Sequence, residues 1–141
     1  MIIAVMTRGD EAVWGSFLNS DTIDLLDGVA VVLDTTATGN DLGRKVKRSI
    51  AAGENTVVGL VQGKTIPIGS FGLVQTYGVH RNASVADAVN AANLPLHTIV
   101  TVRGQLTTTA TPVASASVGT SLTAGAGDSG AQRATVFLKC M

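Results

Sequence analysis

Short β-branched runs separated by glycine, with no long amphipathic helical period to compete, constrain this chain more than any other feature. Residues 53–78 read Gly-Glu-Asn-Thr-Val-Val-Gly-Leu-Val-Gln-Gly-Lys-Thr-Ile-Pro-Ile-Gly-Ser-Phe-Gly-Leu-Val-Gln-Thr-Tyr-Gly. Val, Ile, Thr and aromatic side chains suit a pleated, half-buried surface, and glycine supplies the turns between strands. Similar apolar runs occur at 29–33, 99–106 and 134–140, and a weaker alternation at 45–50. About six to nine short strands at this spacing predict an all-β, mainly antiparallel fold, a compact sandwich or small barrel. The absence of alternating long helices argues against a parallel α/β sheet.

The period of two assigns faces. In 71–79 it puts Phe71, Leu73, Gln75, Tyr77 and Val79 on one side, read as the bulky core face. Gly72, Val74, Thr76 and Gly78 lie on the other, where a second backbone or subunit can approach closely. In the last run Ala134, Val136, Leu138 and Cys140 share a face. The window 84–93 suits at most one short helix of two or three turns, with Ser84 as N-cap and Pro95 beyond its end; the alternative, a strand and loop, fits the strands that surround it. Residues 107–130, rich in Thr, Ala, Ser and Gly, read as a long exposed loop or as small-residue strands. Residues 1–28 keep no sustained period and read as an extended N-terminal arm or lead-in to a single β-rich domain at 29–141.

A chain of 141 residues can bury roughly two thirds of its unfolded surface, enough for one core without a staple. Aromatics are only 4%, so that core must be built from Val, Ile, Leu and Ala. Net charge is zero, which gives no pull toward nucleic acid or an anionic membrane. The charge is nevertheless uneven: residues 1–41 carry seven acids against Arg8, and residues 42–141 carry nine bases against three acids. Either copies or partners dock through that polarity, or the folded monomer cancels it internally.

Cys140 is the only cysteine, which excludes an intrachain disulfide and any zinc site built on paired cysteines, and suggests a reducing compartment. The opening Met-Ile-Ile-Ala-Val-Met is too short for a signal-peptide core and soon meets Arg8 and Asp10. No run reaches the roughly 18 apolar residues of a membrane helix, so a soluble protein without a cleaved signal is expected.

The chemical motifs fail on context. Gly-Ala-Gly-Asp-Ser-Gly at 125–130 matches the dinucleotide pattern, but it is followed by an apparent strand and by too few residues for the acidic partner. The same stretch contains a Gly-Asp-Ser-Gly like that around protease nucleophiles, yet His80 and His97 sit in no catalytic context. Asp21, Asp24 and Asp27 lack the alternate spacing of a calcium loop and read as solvated turn or cap residues. Asn-Ala-Ser at 82–84 is an incidental glycosylation pattern, and each histidine is read as structural. No catalytic, metal or cofactor site is expected, and the chain is not read as an enzyme.

Two features suggest contact with a partner. Arg44, Lys45, Lys47 and Arg48 fall within five positions, which suits either binding of phosphate or a carboxylate-rich partner surface or protection of an edge strand by charge. Trp14 and Phe17 offer large anchors within the arm.

The pieces Gly-Val-Ala-Val-Val-Leu-Asp at 28–34, Lys-Val-Lys-Arg-Ser at 45–49, Val-Val-Gly-Leu-Val at 57–61, Ile-Gly-Ser-Phe-Gly-Leu-Val-Gln-Thr-Tyr-Gly at 68–78 and Leu-Pro-Leu at 94–96 resemble head decoration, or cement, proteins of tailed bacteriophages. The resemblance spans about residues 28–106 and rests on compact β signals. It implies a small β-rich protein, commonly a homotrimer. Such a protein sits on the outer surface of the virion, binds the major capsid protein and stabilises the expanded head, with no catalytic residues. The acidic lead-in and the Thr/Ser/Ala-rich segment depart from the family pattern. A carbohydrate- or ligand-binding β module on a virion or cell surface is the alternative.

Overall fold

The structure, a computed structural model, describes residues 11–51, 56–98, 103–108, 117–128 and 132–140. Nine strands form one mixed sheet: β1 Ala12–Asn19, β2 Ala30–Leu33, β3 Lys45–Arg48, β4 Val57–Val61, β5 Phe71–Val85, β6 Pro95–Thr98, β7 Leu106–Thr107, β8 Gly119–Ser121 and β9 Gln132–Lys139. A single 3-10 turn at Gly39–Asp41 is the only helical element among the described residues. The protein is all-β, as the runs of β-branched residues predict, and mainly antiparallel: among the described strands only β1–β3 and β5–β7 run parallel.

The strand order closes on itself twice. Strands β1, β3, β2, β4 and β5 are neighbours in that order, and β5 pairs back with β1. Strands β5, β7, β6, β8 and β9 follow, and β9 also pairs with β5. The result is two five-stranded barrels sharing the 15-residue strand β5. Closure gives each described strand two neighbours, and the shared β5 four, which removes from them the free edges that invite pairing with other chains.

Each barrel has its own core. Leu25, Val31, Val46, Val61, Ile66 and Val74 fill the first, with Phe17, Val29, Leu33 and Val58 packed against them. The second is centred on Val85, Leu96, Leu106, Val136 and Leu138. Ala30 and Leu60, on β2 and β4, belong to the second cluster, so the outer wall of the first barrel closes against the second. Ala134, Val136 and Leu138 are all buried, and Cys140 packs beside them, so the face of β9 that these four share by alternation turns inward.

Three expectations change. The lead-in without a strand of its own gives way from residue 12: Ala12–Asn19 is β1, pairing with β5 from Ala12↔Gly78 to Leu18↔Phe71 and with β3 at Leu18↔Lys45. Mixed apolar and acidic residues hid the strand because β1 has a register shift at Val13/Trp14 and is only partly buried. The faces of β5 are also reversed at its start. Val74 is fully buried and Ile66 packs over Gly72, whereas Phe71 and Leu73 are half exposed. A five-stranded barrel is narrow, so small residues face inward and bulky ones stand outside. Finally, 84–93 takes its strand-and-loop form. Ser84 and Val85 end β5, the Ser84 amide donates to Gly28 and the Ala86 amide to Leu106, and Val89 is buried in the turn that follows. Pairing across the fold outweighs a weak local helix signal.

Gly104 lies in a turn where it approaches Val29, and β8 supplies a small-residue strand inside 107–130. The expectations for residues 1–10, the turn at 53–55, the run 99–102, and residues 109–116 and 129–130 lie outside the described residues.

Candidate functional site

The −6/+6 asymmetry of the sequence is largely consumed by the fold. Asp21 takes Arg48 in a two-point bridge, with Nε to Oδ2 at 2.9 Å and Nη2 to Oδ1 at 3.3 Å, and the Arg48 amide also donates to Oδ2 at 3.0 Å. Partial burial opposes ionisation of Asp21, but these bonds outweigh it and hold the carboxyl at about 2. Asp34 accepts from the Thr36 hydroxyl at 2.7 Å and the Ser20 hydroxyl at 2.9 Å and pairs with Lys47 at 3.4 Å. Thr36 contributes most to holding Asp34 at about 2 against the opposing effect of desolvation. Lys45 meets Asp41 at 2.7 Å, and the Lys45 hydrogen bond lowers that carboxyl as well.

Strand β3 therefore lies between β1 and β2 rather than on an edge, which corrects the edge-protection reading. Three of its basic residues, Lys45, Lys47 and Arg48, are paired within the chain. Asp24 and Asp27 accept the Ile68 and Gly63 amides, at 3.0 and 2.7 Å, so the aspartates spaced by three staple one loop to β3 and to two turns. That spacing serves backbone donors on other elements and has no helical meaning.

Arg44 is used differently. Its guanidinium carbon lies 5.6 Å from the centre of the Phe71 ring, within cation–π range. Phe71 is 54% exposed and begins an apolar face on the outside of the first barrel. The register Leu18↔Phe71, Ser16↔Leu73, Trp14↔Gln75 sets Trp14, 51% exposed, and Leu73, 52% exposed, along the same two-stranded surface. Beside it an open cleft of about 500 Å³ runs between 62–66 and 71–73, lined by Gln62, Lys64, Ile66, Phe71 and Leu73. The Gln62 Oε1 is buried without a hydrogen-bond partner.

Trp14 and Phe17, three apart on a strand, point to opposite sides. Trp14 joins the exposed face, while Phe17 packs against the first core and lines a second cleft of about 470 Å³ with Leu33, Val57, Val58 and Cys140. Burial pushes the Cys140 thiol up to about 11, leaving it protonated and a poor nucleophile near neutral pH. Of the six residues singled out by sequence, the fold brings Trp14 and Arg44 to one barrel surface and sets Phe17 inside. Phe71 and Leu73 were missed because alternation cannot tell which side of a strand a narrow barrel turns inward.

No protein-family model matches the chain, and no curated protein matches it.

Proposed function

We propose that the protein is a structural virion component, a capsid decoration or cement protein of the tailed-phage type. It docks on the outer surface of the major capsid protein lattice through the Trp14–Leu73–Phe71 face and stabilises the expanded head. The observation that carries this reading is the half-exposed aromatic and aliphatic face on a closed β scaffold, with the Arg44 guanidinium over its aromatic end. Aromatic and arginine side chains anchor interfaces because they bury much area at a small cost in ordering. The Val-Val-Gly-Leu-Val and Val-Gln-Thr-Tyr-Gly pieces of the resemblance also support it, since they fall on β4 and β5, adjacent strands of the barrel that bears this face. A homotrimer multiplies modest contacts into avidity, which suits a clamp spanning several capsid subunits.

The test is cosedimentation with expanded heads stripped of this protein. The double variant Trp14→Ala/Leu73→Ser weakens attachment at least about tenfold, the effect of losing roughly 1.4 kcal/mol. Its circular dichroism stays unchanged, because both side chains are half exposed. Undiminished binding by the folded variant, or absence of the protein from purified particles, would sink the reading. A free monomer that binds soluble glycan through Trp14 and ignores heads would instead make it a carbohydrate-binding module.

A further inference from the structure

Where the two barrels meet, the sequence places a histidine inside. His80 is 2% exposed on β5, two residues past the stretch that pairs with β1, and faces Val136 of β9 in the ladder. Its Nε2 lies 3.0 Å from the Val61 carbonyl of β4, and its Nδ1 lies 3.2 Å from the Asn82 amide. A carbonyl can only accept and an amide N–H can only donate. The ring is therefore the neutral tautomer, with its proton on Nε2 and a lone pair on Nδ1.

The bonds around this ring tie the barrels together. The Val61 carbonyl also accepts the Gly28 amide at 2.9 Å, and the Gly28 carbonyl accepts the Ser84 amide at 2.9 Å. Asp27 holds the Gly63 amide at 2.7 Å through Oδ1 and the Asn82 side-chain amide at 2.8 Å through Oδ2. Arg133 of β9 donates Nη1 to the Asp27 carbonyl at 2.7 Å and to the Asn82 carbonyl at 3.2 Å. The β5–β9 ladder shifts register between His80 and Ala83, so Asn82 sits in a bulge and relies on these side-chain partners instead of the ladder. Gly28 comes so close to the Asn82 carbonyl and Arg133 that a Cβ there would collide with both.

We propose that His80 is an acid-sensitive latch between the two barrels: protonation at Nδ1 turns the acceptor of the Asn82 amide into a donor facing it, and the bulge that Arg133 and Asp27 hold in place loosens. Two charged groups face the ring from the packed elements. The Asp27 carboxylate, 3.8 Å from Nε2, favours the imidazolium, and Arg133 opposes it; β4 offers only the Val61 carbonyl. Burial is the largest influence and lies on the side of the neutral ring, so His80 titrates below the ordinary histidine value of 6.5.

The sign follows. Between 6.5 and the lower folded value the unfolded chain binds more protons than the folded one, so the latch stabilises fully above about 6.5 and weakens as pH falls through that window. Each unit of separation is a tenfold change in the unfolding constant. Asp21 and Asp34, held at about 2, lose their contribution only below the ordinary carboxylate value of 3.8, which separates the two effects.

Nitrogen-resolved NMR of the full chain tests the proposal. The expected record is an Nε2–H ring for His80 at pH 7.5. Exchange protection at Gly28, Asn82 and Ser84 should fall from pH 7.5 to 4.5, and by more than protection at Val31 and Val46 in the first core. His80→Gln, which can still donate to Val61 but gains no charge, should show a flat profile over the same range. An Nδ1–H tautomer, unchanged protection at Gly28 and Ser84 in the wild type, or a variant that keeps the wild-type profile overturns the latch. If the variant does not fold, the wild-type tautomer and protection data decide by themselves.

Discussion

At the scale of single residues, the charges of this chain work mainly inward. Asp21 and Arg48 are 27 positions apart and form the best-connected ion pair among the described residues. Asp21→Asn should cost about 1 kcal/mol at pH 7, the upper range for a partly solvated pair. Because the Asp21 carboxyl is held at about 2, its contribution is present above the ordinary value of 3.8 and disappears as pH falls toward 2. Urea unfolding at pH 7, 4 and 2 checks this: the gap between variant and wild type should close at the acid end, and a constant gap would contradict the assignment. The acidic front and basic middle were legible in the sequence. Which acid meets which base was not, because pairing depends on β3 lying beside β2 and the loop at 20–28.

Among the elements, β5 decides most. Its 15 residues serve both barrels, and Gly78 marks the passage from one to the other, with φ +95° and the Glu11 and Ala12 backbone where a Cβ would stand. Gly78→Ala combines an unfavourable backbone with a collision against main chain and should cost about 3 kcal/mol. Gly43, with φ +77° and open space around it, is the control: its alanine variant meets only the backbone penalty of about 1 kcal/mol. Comparable midpoints in denaturant for the two variants would show that the β1–β5 approach is not tight. The glycine-bearing face was legible in the sequence as a place of close approach. Its role as the inside of a barrel was not, since Gly72 and Val74 face inward only because five strands close around a narrow interior. Strand β1 was hidden for a related reason: most of its pairing is with β5, 50 or more residues away, and its outer side chains are left uncovered.

For the whole molecule, a shared strand implies shared stability. Neither barrel can lose β5 without opening the other, and Leu60 carries the wall of the first barrel into the core of the second. Leu138→Ala, in the second core, should cost about 2–5 kcal/mol. Fluorescence of the only tryptophan, Trp14 on the first barrel, should shift its midpoint together with far-UV circular dichroism. Separate transitions would show two independent units. By itself the sequence determined the class of fold, because β-branched runs of about five residues between glycines can bury their apolar sides only as paired strands. It also grouped Ala134, Val136, Leu138 and Cys140 on one face of β9, and it located two of the residues on the exposed face, Trp14 and Arg44. Only the tertiary structure decided that the sheet closes twice around β5, which side of each strand is inside, and that Phe71 and Leu73 stand beside Trp14 on the surface. Those outcomes rest on contacts between residues far apart in the chain, and a period of two is the same whichever side the barrel closes on.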